Sequence, residues 1–274
     1  MTTLEQSFSL GPLALTVGQA LLAIAFIIAL LVGALMARGR QVPIADTLFN
    51  TLLVALVGAR LVFVVRYWGS YDSLWGMLDI RDGGFDVLGG VVIAMLYTAW
   101  NLWRHPARRK VLIGALTAGA ISWGMTGGIL LLIDQHARPM PDVPLATLDG
   151  QLTSLPELVT MNPGKPMVVN LWATWCPPCV REMPILEEAQ RTMPDTTFVL
   201  VNQGEDGSHV MRFLGEHELT LDNVLLDVRL ALGSATGSHV MPTTLFYDAE
   251  GRLVDAHAGE LSRATLQRGL DRLQ

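Results

Sequence analysis

Met167-Val168-Val169-Asn170-Leu171-Trp172-Ala173-Thr174-Trp175-Cys176-Pro177-Pro178-Cys179-Val180-Arg181-Glu182 runs from a short apolar stretch suited to a buried strand, through two cysteines, into a segment where Met183, Ile185, Leu186 and Ala189 keep a helical spacing. The order strand, Cys-x-x-Cys, helix has a chemical reason. Only a thiolate attacks a disulfide, and a helix N-terminus stabilises it with unpaired N–H groups and the positive end of the dipole. The first cysteine is expected to be exposed there, with the second, one turn on, in reach of a mixed disulfide. Pro177 and Pro178 suit a first helical turn, where their missing N–H groups would have had no partner anyway. A zinc knuckle needs more ligands than the chain holds: it has 2 cysteines, and none of its 6 histidines forms a closely spaced pair. A purely structural bridge across so small a loop would not call for flanking Trp and Pro. Thiol-disulfide exchange is the expected chemistry, with no metal and no cofactor beyond a redox-active Cys176–Cys179 disulfide.

Working outward from the motif, elements alternate. Residues 197–202 read as a strand, 208–219 as a helix, 223–227 as a short strand and 229–235 as a helical turn. Gly237-Ser238-His239-Val240-Met241-Pro242-Thr243-Thr244 leads into another strand, Gly251 marks a hairpin, residues 253–257 pair back, and a last helix covers 262–273 with Ser262 as its cap. Upstream, Asp149-Gly150 signals a hairpin within residues 145–155. Together these predict one central sheet with helices on both faces. Three prolines among residues 136–144 read as a stiff connection, so domain boundaries are expected at 1–136 and 137–274.

The first half differs in kind. The whole chain is 51% hydrophobic and 16% charged, where a soluble domain averages about 25% charge. Residues 1–138 hold 10 Lys+Arg and 7 Asp+Glu, and residues 139–274 hold 9 and 18. Neither half has the broad basic surface that nucleic-acid binding requires, and so apolar a chain is not disordered. Residues 13–37, 44–65, 85–103 and 111–133 are apolar runs with the length of bilayer-crossing helices, which predicts about four. A cleaved signal peptide would need a basic leader, and the only charge before the first run is Glu5. Arg38 and Arg40 lie in the first connection and Arg104, Arg108, Arg109 and Lys110 in the third, whereas residues 67–84 mix Arg81 with Asp72, Asp79 and Asp82. Basic loops stay in the cytoplasm. The expected protein is multi-pass in the inner membrane, with both termini and the cysteine domain on the periplasmic side. Arg60 lies inside the second run, and two readings stand: a functional intramembrane arginine, or one that snorkels to the headgroups.

Gly58-Ala59-Arg60-Leu61, Tyr67, Trp75 and Gly83-Gly84-Phe85-Asp86-Val87-Leu88-Gly89-Gly90 resemble the prolipoprotein diacylglyceryl transferase family over residues 11–103. The departures are specific. Val87 and Leu88 stand where that family carries His or Tyr, no tyrosine occurs at Thr16-Val17-Gly18, and residues 111–133 contain no ionisable side chain. The resemblance therefore implies a lipid-embedded scaffold without transfer activity, with Arg60, Arg66 and Arg81 as candidate contacts to a phospholipid head.

Trp175-Cys176-Pro177-Pro178-Cys179 with the later Met241-Pro242-Thr243-Thr244 resembles the thioredoxin superfamily, most closely membrane-tethered thiol-disulfide oxidoreductases of the TlpA/ResA type, over residues 140–274. That likeness implies an α/β thioredoxin-like fold in which Cys176 attacks and Cys179 resolves. It further implies that Met241-Pro242 is a cis-proline turn, that Trp175, Pro177, Pro178, Met241 and Pro242 meet the substrate, and that Glu182 handles the cysteine protons. Glu182 also reads as a solvated first-turn glutamate favoured by the dipole. Asn170 stands where cytosolic thioredoxin has a buried aspartate, which leaves proton transfer to Glu182 or water. His239 is close in sequence to Pro242 but reads as a solvated loop residue. The expected function is a periplasmic disulfide reductase acting on protein substrates, with thiol oxidation as the opposite direction. A lipid-binding or lipoprotein-modifying protein that recruits through its outer domain is the reading from another class. With no third cysteine, recharging falls to a separate thiol-disulfide partner, and the other partners expected are membrane lipids.

Overall fold

The computed structural model describes residues 7–10, 13–38, 42–71, 73–130 and 140–273. One compact unit is helical and draws on residues 18–80 and 84–130, and the other contains the large sheet. The predicted linker lies outside the described residues up to 139.

The first described elements form a hairpin, β1 (Ser7–Leu10) and β2 (Leu13–Thr16), paired antiparallel with Leu10 opposite Leu13. This corrects the reading of residues 13–37 as one helix, since the first four residues satisfy their backbone groups in a ladder instead. Helix α1 (Val17–Ala37) comes next, and its 21 residues still span about 31 Å. Then come α2 (Ile44–Arg66), the short α3 (Leu74–Leu78), α4 (Val87–Arg104) and α5 (Arg109–Trp123). Among the described residues these include four long helices, in line with the expected count of about four. Three stretches of the described residues, Val17–Ala37, Ile44–Arg66 and Pro106–Gly128, are long and apolar enough to cross a membrane. The 18 residues of α4 end on Asn101 and Arg104 and do not meet that measure.

The last run is also less regular than predicted. After Trp123 the backbone widens into a π-helical segment, Gly124–Gly128, rich in glycine and carrying Thr126, whose Oγ1 bonds back to Ser122 O at 2.8 Å. Residues 131–133 of the predicted helix lie outside the described ones.

The paired glycines explain how α4 meets α2. A Cβ added at Gly90 would lie 2.8 Å from Ala59 Cβ and 2.9 Å from Ala55 O, and one at Gly89 would lie 2.7 Å from Val62 Cγ1. Small residues let two helix backbones approach where lipid offers no hydrophobic drive. Asp86 caps α4 by accepting from Gly89 N at 2.7 Å.

The second unit comprises β3 (Leu145–Thr147), β4 (Leu152–Thr153), α6 (Leu155–Met161), β5 (Met167–Trp172), α7 (Pro177–Thr192), β6 (Thr197–Gln203), α8 (Gly207–Glu216), β7 (Val224–Asp227), α9 (Ala231–Thr236), β8 (Thr243–Tyr247), β9 (Leu253–Ala258) and α10 (Arg263–Asp271). The sheet order is β4-β3-β7-β6-β5-β8-β9, with β5, β6 and β7 parallel and the others antiparallel to their neighbours. Every residue of β5 is buried, as a strand covered on both faces requires. Val168, Phe198 and Leu200 turn to one face with α7, α8 and α10, while Val169, Leu171 and Val199 turn to the other with α6 and α9. Helix α6 had too few residues to leave a periodic signal. Ser262 caps α10 as expected, in a capping box with Thr265.

Candidate functional site

The central strand β5 ends at Trp172, and the next four residues carry the chain to Cys176, the N-cap of α7. The helix starts at Pro177, six residues before Met183, the first of its spaced apolar positions, because proline at the first two positions gives up no hydrogen bond. Cys176 and Cys179 form a disulfide with Cα atoms 5.3 Å apart, and Cys176 Sγ accepts from Cys179 N at 3.3 Å. An exposed first cysteine was expected. Instead Cys176 is 4% exposed and Cys179 fully buried, because both pack into the core cluster with Trp172, Ala173 and Met183. Trp175, by contrast, stands out at 66% exposure.

The Met241-Pro242 peptide is cis. Leu171 pairs with Thr243, so continuing that register sets Met241 and Pro242 abreast of Ala173 and Trp172, at the sheet end where the disulfide sits. Met241 packs against the cluster containing both cysteines. Among the described residues no hydrogen bond engages its backbone N–H or C=O.

Glu182 lies one turn beyond Cys179, on the same face of α7. The solvated reading is corrected: Glu182 is fully buried, accepting from Asn170 Nδ2 and Leu261 N, each at 2.7 Å. Asn170 Nδ2 also donates to Thr244 Oγ1 at 3.0 Å, and its own Oδ1 has no partner among the described residues. Burial pushes the Glu182 carboxyl up to about 8, against the lowering pull of the Leu261 and Asn170 donors, with nearby Glu260 adding to the rise. A carboxyl pushed to about 8 titrates near neutral pH, the range in which a proton-transfer group works best.

Glu205 was not singled out in the sequence. Gly204, with φ +81°, turns the chain out of β6 so that Glu205 reaches back to the residue two before Cys176. Its carboxylate accepts from Thr174 N at 2.8 Å, from Thr174 Oγ1 at 2.5 Å and from Asn202 Nδ2 at 2.8 Å. Partial burial acts to raise this carboxyl, but the three donors outweigh it and hold it below the ordinary range. Gln203-Gly204-Glu205-Asp206 has no local pattern that would have flagged it. His239 is exposed, as read.

The membrane arginines do not behave alike. Arg60 was expected as a headgroup contact or a snorkelling cation, yet it is buried and spends its fork on backbone: Nη1 to Gly84 O at 2.7 Å, Nε to Met77 O at 3.0 Å, and Nη2 to Asp79 O at 2.6 Å and Gly76 O at 3.3 Å. Phe63 and Tyr71 rings flank it at 5.8 Å. Helix α2 thus closes on the loop after it through a cation whose fork is engaged by backbone carbonyls. Arg66 is 65% exposed, 3.5 Å from Asp86, and Arg81 is exposed.

A mixed sheet with a Cys-x-x-Cys disulfide at a helix N-cap and a cis-proline turn at the same end is a thioredoxin-like fold. Residues 135–270 match the model of the Redoxin family, and residues 5–128 match that of prolipoprotein diacylglyceryl transferase. Thioredoxin-like protein YneN of Bacillus subtilis (strain 168) is 30% identical over 192 residues, 67% of this chain and 96% of YneN. A thiol:disulfide interchange protein DsbE homolog of Paracoccus denitrificans is 33% identical, covering 51% of this chain and 79% of its own. The thiol-disulfide oxidoreductase ResA of Halalkalibacterium halodurans is 30% identical, covering 45% and 68%. The chain belongs to the thioredoxin-like thiol-disulfide oxidoreductases of the ResA and DsbE type, joined to an N-terminal transferase-like membrane region.

Proposed function

We propose that the protein is a membrane-anchored disulfide reductase whose catalytic domain faces the periplasm. The basic first and third helix connections support that orientation. In the reduced enzyme, the Cys176 thiolate attacks a substrate disulfide, forming a mixed disulfide and expelling one substrate sulfur as thiolate, which takes a proton. The Cys179 thiol gives up its proton, and its sulfur attacks Cys176 Sγ, releasing the second substrate thiol and leaving the Cys176–Cys179 disulfide. Two electrons pass to the substrate, and a separate dithiol partner returns them. Glu182, one turn from Cys179, is the group suited to hold the proton that Cys179 releases.

The observation that carries this reading is the Cys176–Cys179 disulfide at the head of α7, abreast of a cis-proline turn whose Met241 backbone groups are open to a substrate strand. The reductive direction is supported by the surroundings of Cys179. Burial beside a carboxyl disfavours thiolates, and a pair whose reduced form is poorly stabilised gives up electrons readily. Arg181, the cation nearest in sequence, is engaged by Glu260 in a bidentate pair.

In the test, the Cys179→Ser chain is expressed in full and its mixed disulfides are captured and identified. Substrates bound through Cys176 are expected, and Cys176→Ser is expected to lower exchange by at least about a thousandfold, the scale on which loss of a nucleophile acts. Unchanged exchange in Cys176→Ser sinks the reading. Conversion of substrate thiols to disulfides by the wild-type enzyme, leaving Cys176 and Cys179 reduced, would reverse the direction.

A further inference from the structure

Three consecutive residues of the β9–α10 connection each touch the site. Gly259 N donates to Pro242 O at 2.9 Å, the Glu260 carboxylate accepts from Arg181, and Leu261 N donates to Glu182 Oε2 at 2.7 Å. One short connection thus holds both the cis-proline turn and the buried carboxyl. Gly259 makes this possible, because its φ of +113° is a backbone conformation that side chains rarely adopt. There the chain leaves the β9 ladder, in which Ala258 still pairs with Thr243.

Two of the three contacts are single N–H bonds, and the third is a fork. Arg181 Nε lies 3.0 and 3.1 Å from Glu260 Oε1 and Oε2, and its Nη2 lies 2.5 Å from Oε2. Single exposed ion pairs contribute little, but a bidentate guanidinium–carboxylate pair fixes direction as well as distance. Its register decides what it does. Arg181 and Glu182 are successive on α7, Glu260 and Leu261 are successive on the connection, and both bonds span 79 residues. The pair, with 47% of the Arg181 side chain and 20% of the Glu260 side chain exposed, therefore sits one position from a buried bond.

The other polar groups near Glu182 have separate tasks. Strand β5 presents Asn170, which carries no charge, and α7 itself carries Cys179. His257 of β9 meets the connection at Glu260 O, 3.3 Å from Nε2, and burial, with Arg268 beside it, holds the ring at about 4 and so neutral at physiological pH. Arg263, which opens α10, pairs with Glu188 farther along α7.

We infer that the Arg181–Glu260 pair is a positioning latch for the exchange reaction: it holds the β9–α10 connection against α7, keeping Leu261 N on Glu182 and Gly259 N on Pro242. The inference rests on the exchange reading above.

The test uses the pre-reduced full-length chain in detergent and a peptide whose single cysteine is in mixed disulfide with 2-nitro-5-thiobenzoate. Release of the coloured thiolate reports attack by Cys176, and release of the peptide thiol reports closure by Cys179. In the wild type the pH midpoint of closure is expected near 8. In Arg181→Gln it is expected at least about 0.5 pH unit higher, because Glu182 loses the Leu261 donor that lowers it, which makes closure about threefold slower at pH 7. Amide hydrogen exchange of residues 259–261 is expected to quicken at least about tenfold in the same variant. Glu260→Gln and the double variant should loosen these amides no further, as two halves of one latch do. A higher midpoint with unchanged amide exchange refutes the latch, since the missing cation would then act through its charge alone. Loosened amides with an unchanged midpoint refute the positioning role, and no change in either refutes both, while the exchange reading stands. If the reduced wild type releases no peptide thiol, the exchange reading fails, and the latch with it.

Discussion

Arg60 in the helical unit and Glu182 in the sheet unit are both ionisable side chains taken out of water, and the two units solve the same problem in opposite ways. A guanidinium keeps its charge and has five donors in a fixed fork, so the chain must bring acceptors to it. The residues after α2 supply them as the carbonyls of Gly76, Met77, Asp79 and Gly84. A carboxyl has another route, because it can take up a proton. Among the described residues Glu182 receives two donors, and burial moves it to about 8. The first solution builds a fixed structural tie, and the second leaves a group poised to trade protons. A buried charge marks chemistry only where the side chain can change its protonation state.

The largest test of this contrast removes the tie. Arg60→Met leaves at least three buried or half-buried carbonyls without donors, and a loss of about 3 kcal/mol or more is expected in denaturant unfolding of the purified chain. Arg60→Lys, which keeps the charge but not the fork, should fall between Met and wild type. Equal stability of all three would break the comparison from the arginine side.

Glu182 predicts a pH dependence of definite sign. The folded state holds the proton up to about 8, while the unfolded carboxyl releases it near 4.5. Between those values the folded state binds more protons, so stability falls as pH rises, by about 2 kcal/mol from pH 6 to pH 8. Glu182→Gln should flatten that slope and remove the corresponding titration from the exchange rate. A variant with the same slope as wild type would mean that Glu182 does not titrate there.

The smallest expected effect belongs to Glu205, a carboxylate treated in the manner of Arg60, with donors from Thr174 and Asn202 keeping it ionised. Glu205→Gln replaces one acceptor by a donor and should cost about 1 kcal/mol at neutral pH. Because its folded-state value is depressed, the difference should shrink as the pH falls through the carboxylate range. Faster hydrogen exchange of the Thr174 amide would report the local loosening, and unchanged exchange would free the motif loop from Glu205.

Much of the second unit was legible because its signals are local. The six-residue apolar run that became β5, the prolines heading α7 and the Ser262 cap of α10 each act over a few neighbouring positions. The long helices of the membrane region were equally plain, since crossing hydrocarbon demands length and apolarity. The misses fell where local rules compete or are silent. Leu13–Thr16 is as apolar as the helix after it, and pairing with Ser7–Leu10 claims it for a ladder. Glycines inside the last apolar run allowed a π segment that hydropathy does not register.

From sequence alone came the two-part organisation, the strand-cysteine-helix order and the residue types able to exchange disulfides, because periodicity, capping and motif spacing are properties of neighbouring residues. Tertiary structure decided the state of each group. Leu261, 79 residues from Glu182, helps to hold that carboxyl out of water, and a loop up to 24 residues from Arg60 turns its fork inward. Burial and hydrogen-bond partners set protonation and accessibility, and those partners come together only when distant parts of the chain have packed.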